Sequence, residues 1–550
     1  MNSDLKLFNE ICESEEIISK IYNESIKLMK EDYLQYKKRT TNEESANNVK
    51  DNQYHIEHPL DADIISKISD LSNNLRDDDD DYRIFIHIDK IKSLWCLLIE
   101  KSIKCLRFFD KREPFIENSE KQPIAYGVKE LYDFFDEYVE FENLLYGGGK
   151  YYRDHVVHML RVWMLGIHCM LDKDNNGEYL KKLYIGSGLS KSSTNVTSLE
   201  KISIWTMMAL THDLGYPLEK SQQVIEKTKE MMKSFVANPM LSLDLSFNGV
   251  QNNMNDFVLR FISSKMISFN SKCPKESESP QNNRNKYVAR LQPKYYFKFQ
   301  KSLEQCMHGT ISALVIYKLL IYFLESDFNI NEDYQFDEED ARQFYIRREI
   351  LRSIASHTCT DVYHLDMCNF AFFLIIMDDS QDWGRKRISE LYVKSKVKYD
   401  FGDIVTNFDK ENDTCQCSVN ETFTFPRNSQ SEIEGLLQRL KSQYKNYKTI
   451  FRDGQDTSRR NFDFIKECKI LTDEEGKPIF NVKLNVPSKK SSNIIIELST
   501  DASAKLKNVS KTYNEQYFKS EKIFGKTAII NKEEQKDKIV FTIEFSNENE

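Results

Sequence analysis

The sequence predicts a mainly α-helical protein: a helix-bundle core with a helical N-terminal region and a smaller α+β C-terminal region. Three observations predict it. Gly and Pro are scarce, at 17 and 11 of 550 residues, which favours long helices. Apolar residues recur at three- and four-residue spacing in HMLRVWMLGIHCML, ISIWTMMALTHDL, ISALVIYKLLIYFL and CNFAFFLIIMDD, the period of buried helices. Beyond about residue 400, TCQCSVNETFTF, PIFNVKLNV, SNIIIELST and KIVFTIEF gather β-branched and aromatic residues into short runs bounded by turn formers, which reads as strands.

A chain of 550 residues exceeds one compact core, so more than one unit is expected. Residues 1–130 alternate helical stretches with polar loops, KRTTNEESANNVKDNQ (38–53) being the expected mobile connection. The acidic run Asp77–Asp81 lacks the Gly and Glu spacing of a calcium loop and reads as a solvated turn. Residues 131–400 carry the bundle, interrupted by the polar stretches 175–198 and 269–286, the second read as a flexible surface insertion. Residues 401–550 are the α+β region, with a helix expected over 432–451 among the strands.

The net charge of −9 and pI near 5.8 argue against a broad cationic surface for duplex nucleic acid, and a small anionic substrate fits better. Eleven scattered cysteines do not make a disulfide framework and suggest a reducing cytosol. The N-terminus MNSDLKLFNEICESEE has no signal-peptide pattern. No uncharged apolar run reaches membrane-spanning length, so a soluble, cytoplasmic protein is expected.

Histidines carry the chemical signal. Seven of ten lie at 155, 158, 168, 212, 308, 357 and 364, in or beside the most hydrophobic helices. A lone histidine there, such as His168, reads as a core residue. His212 and Asp213 are adjacent at the end of an apolar helix, and a buried carboxylate beside a buried imidazole is costly unless a cation satisfies both. His155 and His158 share a face of one helix, His308 opens another, and His357 and Asp378 end two more. Five helices thus offer N and O donors at the ends of hydrophobic stretches, as a divalent-metal site in a bundle requires. Trp95 in IKSLWCLLIE reads as buried structure, and GGGK (147–150) lacks phosphate-loop spacing and a preceding strand.

The ordered pattern of His158, His212-Asp213 and Asp378 resembles the HD-domain metal-dependent phosphohydrolases, over roughly residues 145–390. His308 and His357 are similar to the histidines that complete two-metal sites in cyclic-dinucleotide phosphodiesterases of that superfamily. YRDHVVHMLRVWMLG and MDDSQDWGR look like a bacterial subgroup of HD proteins. The resemblance implies one or two divalent ions (Mn, Fe, Mg, Ni or Zn), with Asp213 bridging, His158, His212 and Asp378 on one and His308 and His357 on the other. It implies hydrolysis of a nucleotide phosphate ester or anhydride by metal-activated hydroxide, a (deoxy)nucleoside triphosphate being the leading substrate. A cyclic (di)nucleotide phosphodiesterase, an HD-type di-iron oxygenase and a nucleotide-sensing module are the alternatives. The triphosphohydrolase branch follows its pair with further histidines, whereas this chain reads HDLGYPLEK.

Around the metal ligands, His155 is a candidate proton donor or partner to a ligand. Arg153, Tyr216, Lys220, His364 and Arg385 are candidates for binding phosphate, base or sugar. Homo-oligomerisation, or a partner protein met through the C-terminal region, would be compatible with the terminal regions. A role in antiviral defence would follow only by family analogy.

Overall fold

The structure is a computed structural model. It describes residues 3–40, 56–75, 83–109, 127–148, 154–172, 177–185, 196–234, 249–269, 286–324, 335–336, 338–359, 361–362, 368–385, 398–409, 414–425, 461–472, 478–487, 492–499, 528–536 and 538–545, with 433, 435, 436, 439, 440 and 443. Arg153, His364, the acidic run 77–81 and most of the expected connection 38–53 lie outside the described residues.

The N-terminal region comprises α1 (Ser3–Glu13), α2 (Glu15–Thr40), α3 (Ala62–Leu75) and α4 (Ile88–Leu106). The bundle continues with α5 (Val128–Gly148), α6 (Val156–Met170), the short α7 (Glu178–Lys182), α8 (Ser198–Ala209), α9 (Tyr216–Met232) and α10 (Gly249–Ser263). It closes with α11 (Pro293–Glu304), α12 (His308–Leu319), α13 (Ile321–Leu324), α14 (Glu338–His357) and α15 (Phe370–Ser380). Among the described residues, no helix is long and apolar enough to cross a membrane.

One departure from the helical expectation sits between α10 and α11. Strands β1 (Ser264–Phe269) and β2 (Lys286–Leu291) pair antiparallel, with Met266 opposite Ala289. They flank the polar stretch read as an insertion, so that stretch joins the arms of a hairpin. Each strand has only six residues, too few for their alternation to stand out beside the helical pattern.

The C-terminal strands are β3 (Lys398–Asp409), β4 (Thr414–Phe425), β5 (Asn461–Thr472), β6 (Pro478–Pro487), β7 (Ser492–Ser499), β8 (Ala528–Glu534) and β9 (Lys538–Phe545). They form one sheet in the order β3-β4-β5-β6-β7-β9-β8. Only β4 and β5 pair in parallel; the other neighbours are antiparallel. A parallel pair needs a crossover connection, usually a helix. The described residues 433, 435, 436, 439, 440 and 443, between those strands, are helical.

Two tryptophans hold the centre of the bundle. Trp205 Nε1 donates to the Trp163 carbonyl at 3.1 Å, and Trp163 Nε1 donates to Thr206 Oγ1 at 3.0 Å. Gly166 makes this close approach of α6 and α8 possible, because a Cβ there would stand 2.1 Å from the Trp205 ring. Helix α8 starts on a capping box in which Thr197 Oγ1 accepts from the Glu200 amide and Glu200 accepts from the Thr197 amide. Glu200 also receives Arg342 of α14 at 2.5 Å, which ties α8 to α14.

Helix α1 is fastened to the bundle by a buried charge pair. Arg161 Nε and Nη2 donate to the two carboxylate oxygens of Asp4 at 2.8 and 2.6 Å, and Trp383 Nε1 donates to the same carboxylate at 2.7 Å. Gly384 lies against this pair with φ +66°, where a Cβ would come 2.3 Å from the Arg161 guanidinium. Only glycine meets both conditions easily. Trp95 has the expected core role and is fully buried, whereas His168 is half-buried and pairs with Glu10 of α1 at 2.8 Å instead of lying in the core.

Candidate metal centre

Five segments bring their polar ends together. His158 lies in the first turn of α6, His308 is the first residue of α12, His357 the last of α14, and Asp378 is in the last turn of α15. His212 and Asp213 sit in the turn between α8 and α9, just past the helix rather than on its face. The turn is held from both sides: the Gly215 amide donates to Ser312 Oγ at 2.8 Å, and Tyr138 Oη donates to the Asp213 carbonyl at 3.2 Å. Gly309 lets α12 and α14 meet, since a Cβ there would fall 2.7 Å from the Ile354 carbonyl oxygen and 2.9 Å from the His357 ring.

The four imidazoles share one arrangement. Each Nδ1 faces an acceptor: Gln381 Oε1 for His158 at 2.5 Å, the Ala209 carbonyl for His212 at 2.9 Å, Glu219 Oε2 for His308 at 2.6 Å, and the Ile354 carbonyl for His357 at 2.6 Å. An acceptor at Nδ1 places the proton there and turns a lone pair on Nε2 inward, as in metal-bound histidines.

Those Nε2 atoms converge on two carboxylates. Asp213 Oδ2 lies 3.6 Å from His158 and 3.5 Å from His212, while Asp378 Oδ1 lies 2.8 and 3.7 Å from the same two histidines. Asp213 Oδ1 instead faces His308 at 3.2 Å and His357 at 3.6 Å, and those two Nε2 atoms are 3.2 Å apart. Asp213 therefore presents one oxygen to each pair of histidines.

Donors about 2.1 Å from a shared ion sit roughly 3.0–3.5 Å apart, so these separations suit divalent ions. The donors of two triads, His158–His212–Asp378 and His212–Asp213–His357, lie within 4.8 Å of one another. Among the described residues, buried His212 Nε2 makes no hydrogen bond, its nearest carboxylate oxygens standing 3.5 and 3.7 Å away, a costly arrangement that a cation would satisfy. The residues fit the implied ions on geometry and on donor type.

Electrostatics follow from this crowding. Burial alone would raise the Asp213 carboxyl, yet His212, His308 and His357 hold it well below the ordinary carboxylate range. Burial, and then Arg385, push His158 down to about 4. Burial also lowers His308, but Asp213 and Glu219 outweigh it and lift this group to about 9. In the metal-free chain that proton stabilises the fold fully below the ordinary histidine value of 6.5, and the contribution is lost as pH rises through about 9. A divalent ion competes with the same proton. Loading the metal-free chain at pH 7 should therefore release protons, measurable by calorimetry in buffers of differing ionisation enthalpy; no release would contradict ligation through His308.

The other expected site residues fall as follows. His155 stacks on Tyr216 with ring centroids 3.6 Å apart and planes at 27°. One face of Tyr216 is thereby covered by the His155 ring. Lys220 Nζ stands 4.7 Å from the Tyr216 ring and 3.5 Å from Glu219. Arg385 is half-buried, with Nε donating to the Asp154 carbonyl at 3.3 Å. The Asp154 carboxylate caps α6 by accepting from the Val157 and His158 amides, both at 3.1 Å.

Two carboxylates were not singled out in the sequence. Glu219 accepts from His308 through both the ring and the backbone amide, and buried Glu142 accepts from the His155 amide at 2.7 Å. Neither carries a local signal, since Glu219 precedes His308 by 89 residues and Glu142 lies 13 residues before His155. No protein-family model, curated protein or solved structure matches the chain.

Proposed function

We propose that this chain is an HD-type, divalent-metal-dependent phosphohydrolase acting on a nucleotide phosphate ester or anhydride, with a deoxynucleoside triphosphate as the leading substrate. The observation that carries the reading is the division of Asp213 between two histidine pairs, all four imidazoles being turned inward by acceptors at Nδ1. His158, His212, Asp378 and Asp213 would hold one ion, and His308, His357 and Asp213 the other. Bound there, such ions would lower the pKa of a coordinated water and neutralise charge on phosphoryl oxygens.

The chain's own residues supply the rest. Gln381 and Glu219 keep His158 and His308 in register. Lys220 and Arg385 would place positive charge beside the reacting phosphate. Burial and then Arg385 hold His155 well below the ordinary histidine range, which favours its neutral form and a hydrogen-bonding or orienting role over proton transfer. Asp378, with a side chain 25% exposed, marks the side open to solvent.

The test is a nucleotide panel with Mn²⁺, Fe²⁺, Ni²⁺ or Mg²⁺ and identification of products. Inorganic triphosphate would identify the triphosphohydrolase, and a linear dinucleotide the phosphodiesterase. If no nucleotide is consumed under any of these ions, the proposal fails. The paired histidine sets around a shared carboxylate also suit two irons, so oxygen uptake with an iron spectrum would favour the oxygenase reading instead.

A further inference from the structure

The last turn of α15 and the residues after it serve one half of the metal centre twice. Asp378 faces His158 and His212, and three residues later Gln381 Oε1 accepts from His158 Nδ1. Among the described residues, His308 and His357 make their hydrogen bonds and ion pairs with other groups, not with Asp378 or Gln381. Whatever fixes this stretch therefore fixes the His158–His212–Asp378 half.

The C-terminal region grips the stretch. Gln443, in the crossover between β4 and β5, donates from Nε2 to the Asp379 carbonyl at 2.6 Å. One helical turn earlier, Arg439 Nε is 3.1 Å from Asp382 Oδ2. The two contacts bracket Gln381, and one of them is on the residue after Asp378. Gln443 is itself held from the sheet, because Lys466 Nζ of β5 donates to its Oε1 at 3.0 Å. Lys466 lies 2.9 Å from Glu421 of β4, and neither side chain has any exposed surface.

An ordinary packing contact would need no charge there. A lysine and a glutamate buried together cost desolvation that apolar residues would avoid, and such groups fix orientation where apolar ones slide. The path from Lys466 to Gln443 to the Asp379 carbonyl is continuous and points at a single turn of helix. We propose that the C-terminal region positions one half of the metal centre, with Gln443, Arg439 and Lys466 as positioning residues for Asp378 and Gln381. The inference rests on the metal-binding reading above and assigns the C-terminal region a task within it.

The test uses the full chain, stripped with a chelator and titrated with Mn²⁺. His357→Ala identifies which binding step belongs to the opposite half. Gln443→Glu keeps an acceptor for Lys466 but removes the N–H aimed at the Asp379 carbonyl, and Gln443→Leu removes both. Each should weaken the step that survives in His357→Ala by about tenfold or more, the size expected when an outer partner of a ligand is lost. The other step should stay within about twofold. A role in stability alone would lower the melting temperature and leave the ratio of the two affinities unchanged, which overturns the proposal.

A second measurement needs no variant. If the positioning is real, coupling is reciprocal, so Mn²⁺ loading of the wild-type chain should slow amide exchange around Gln443 and Lys466 as well as in α15. Slowing confined to α15 overturns the inference while leaving the metal site standing. A wild-type chain that binds no ion overturns the metal reading itself, and this inference with it.

Discussion

Asp213→Asn should remove metal from both halves of the centre at once. The replacement keeps the volume but gives up the charge and turns one oxygen into an N–H donor. Because each oxygen of Asp213 faces a different histidine pair, both halves lose the charged carboxylate they share. Metal content measured by mass spectrometry should fall at both positions. Nucleotide hydrolysis should drop by roughly a thousandfold or more, about 4 kcal/mol of transition-state stabilisation. His357→Ala should instead weaken mainly the half it belongs to. An Asp213→Asn chain that retains two ions would rule out the bridging arrangement.

Asp4→Ala should be strongly destabilising, although Asp4 lies far along the chain from the candidate metal ligands. It strands the Arg161 guanidinium in a site where neither partner has exposed side-chain surface and also takes the acceptor from Trp383 Nε1. Breaking a buried pair by removing one partner costs about 3–5 kcal/mol. Denaturant unfolding monitored by circular dichroism should show that loss as a lower midpoint. The double replacement Asp4→Leu/Arg161→Met should cost less than Asp4→Ala alone, since it leaves no unpaired charge. A loss below about 1 kcal/mol for Asp4→Ala would mean that water reaches Arg161 and that α1 is loosely held.

Much of this architecture is legible in the residues because the strongest signals are periodic. The runs around His158, Trp205, Ile311 and Phe373 are apolar at helical spacing, and all four lie in helices. The expected strands at TCQCSVNETFTF, PIFNVKLNV, SNIIIELST and KIVFTIEF are β4, β6, β7 and β9. Strands β3, β5 and β8 escaped notice because charged residues interrupt them, as in NFDFIKECKILT and AIINKEE. Such charges suit a sheet with polar neighbours but blur the alternation that marks a strand.

The candidate ligands were legible for a different reason. Imidazoles and carboxylates at the ends of apolar helices conflict with their surroundings, and a conflict of that kind is visible without coordinates. What could not be read was the support beneath them. Glu219 looks like any acidic residue of a surface helix, Glu142 like one of several acids in α5, and Asp4 like a residue of an acidic N-terminus. Their roles arise from partners that are remote in sequence, and local pattern carries no trace of them.

The contact at Gly309 has a consequence for how the two histidine pairs tolerate disturbance. Where α12 and α14 touch, there is no room for a side chain at 309: a Cβ would meet the Ile354 carbonyl oxygen, the Thr358 hydroxyl and the His357 ring, all within 2.9 Å. The gap between His308 and His357 is therefore held like the jaws of a gauge, by the bare backbone at 309 seated on the end of α14 and pinned by the Gly309 amide donating to Thr358 Oγ1 at 3.2 Å. A change at 309 itself, even to alanine, would push the two helices apart and open the spacing between those two rings.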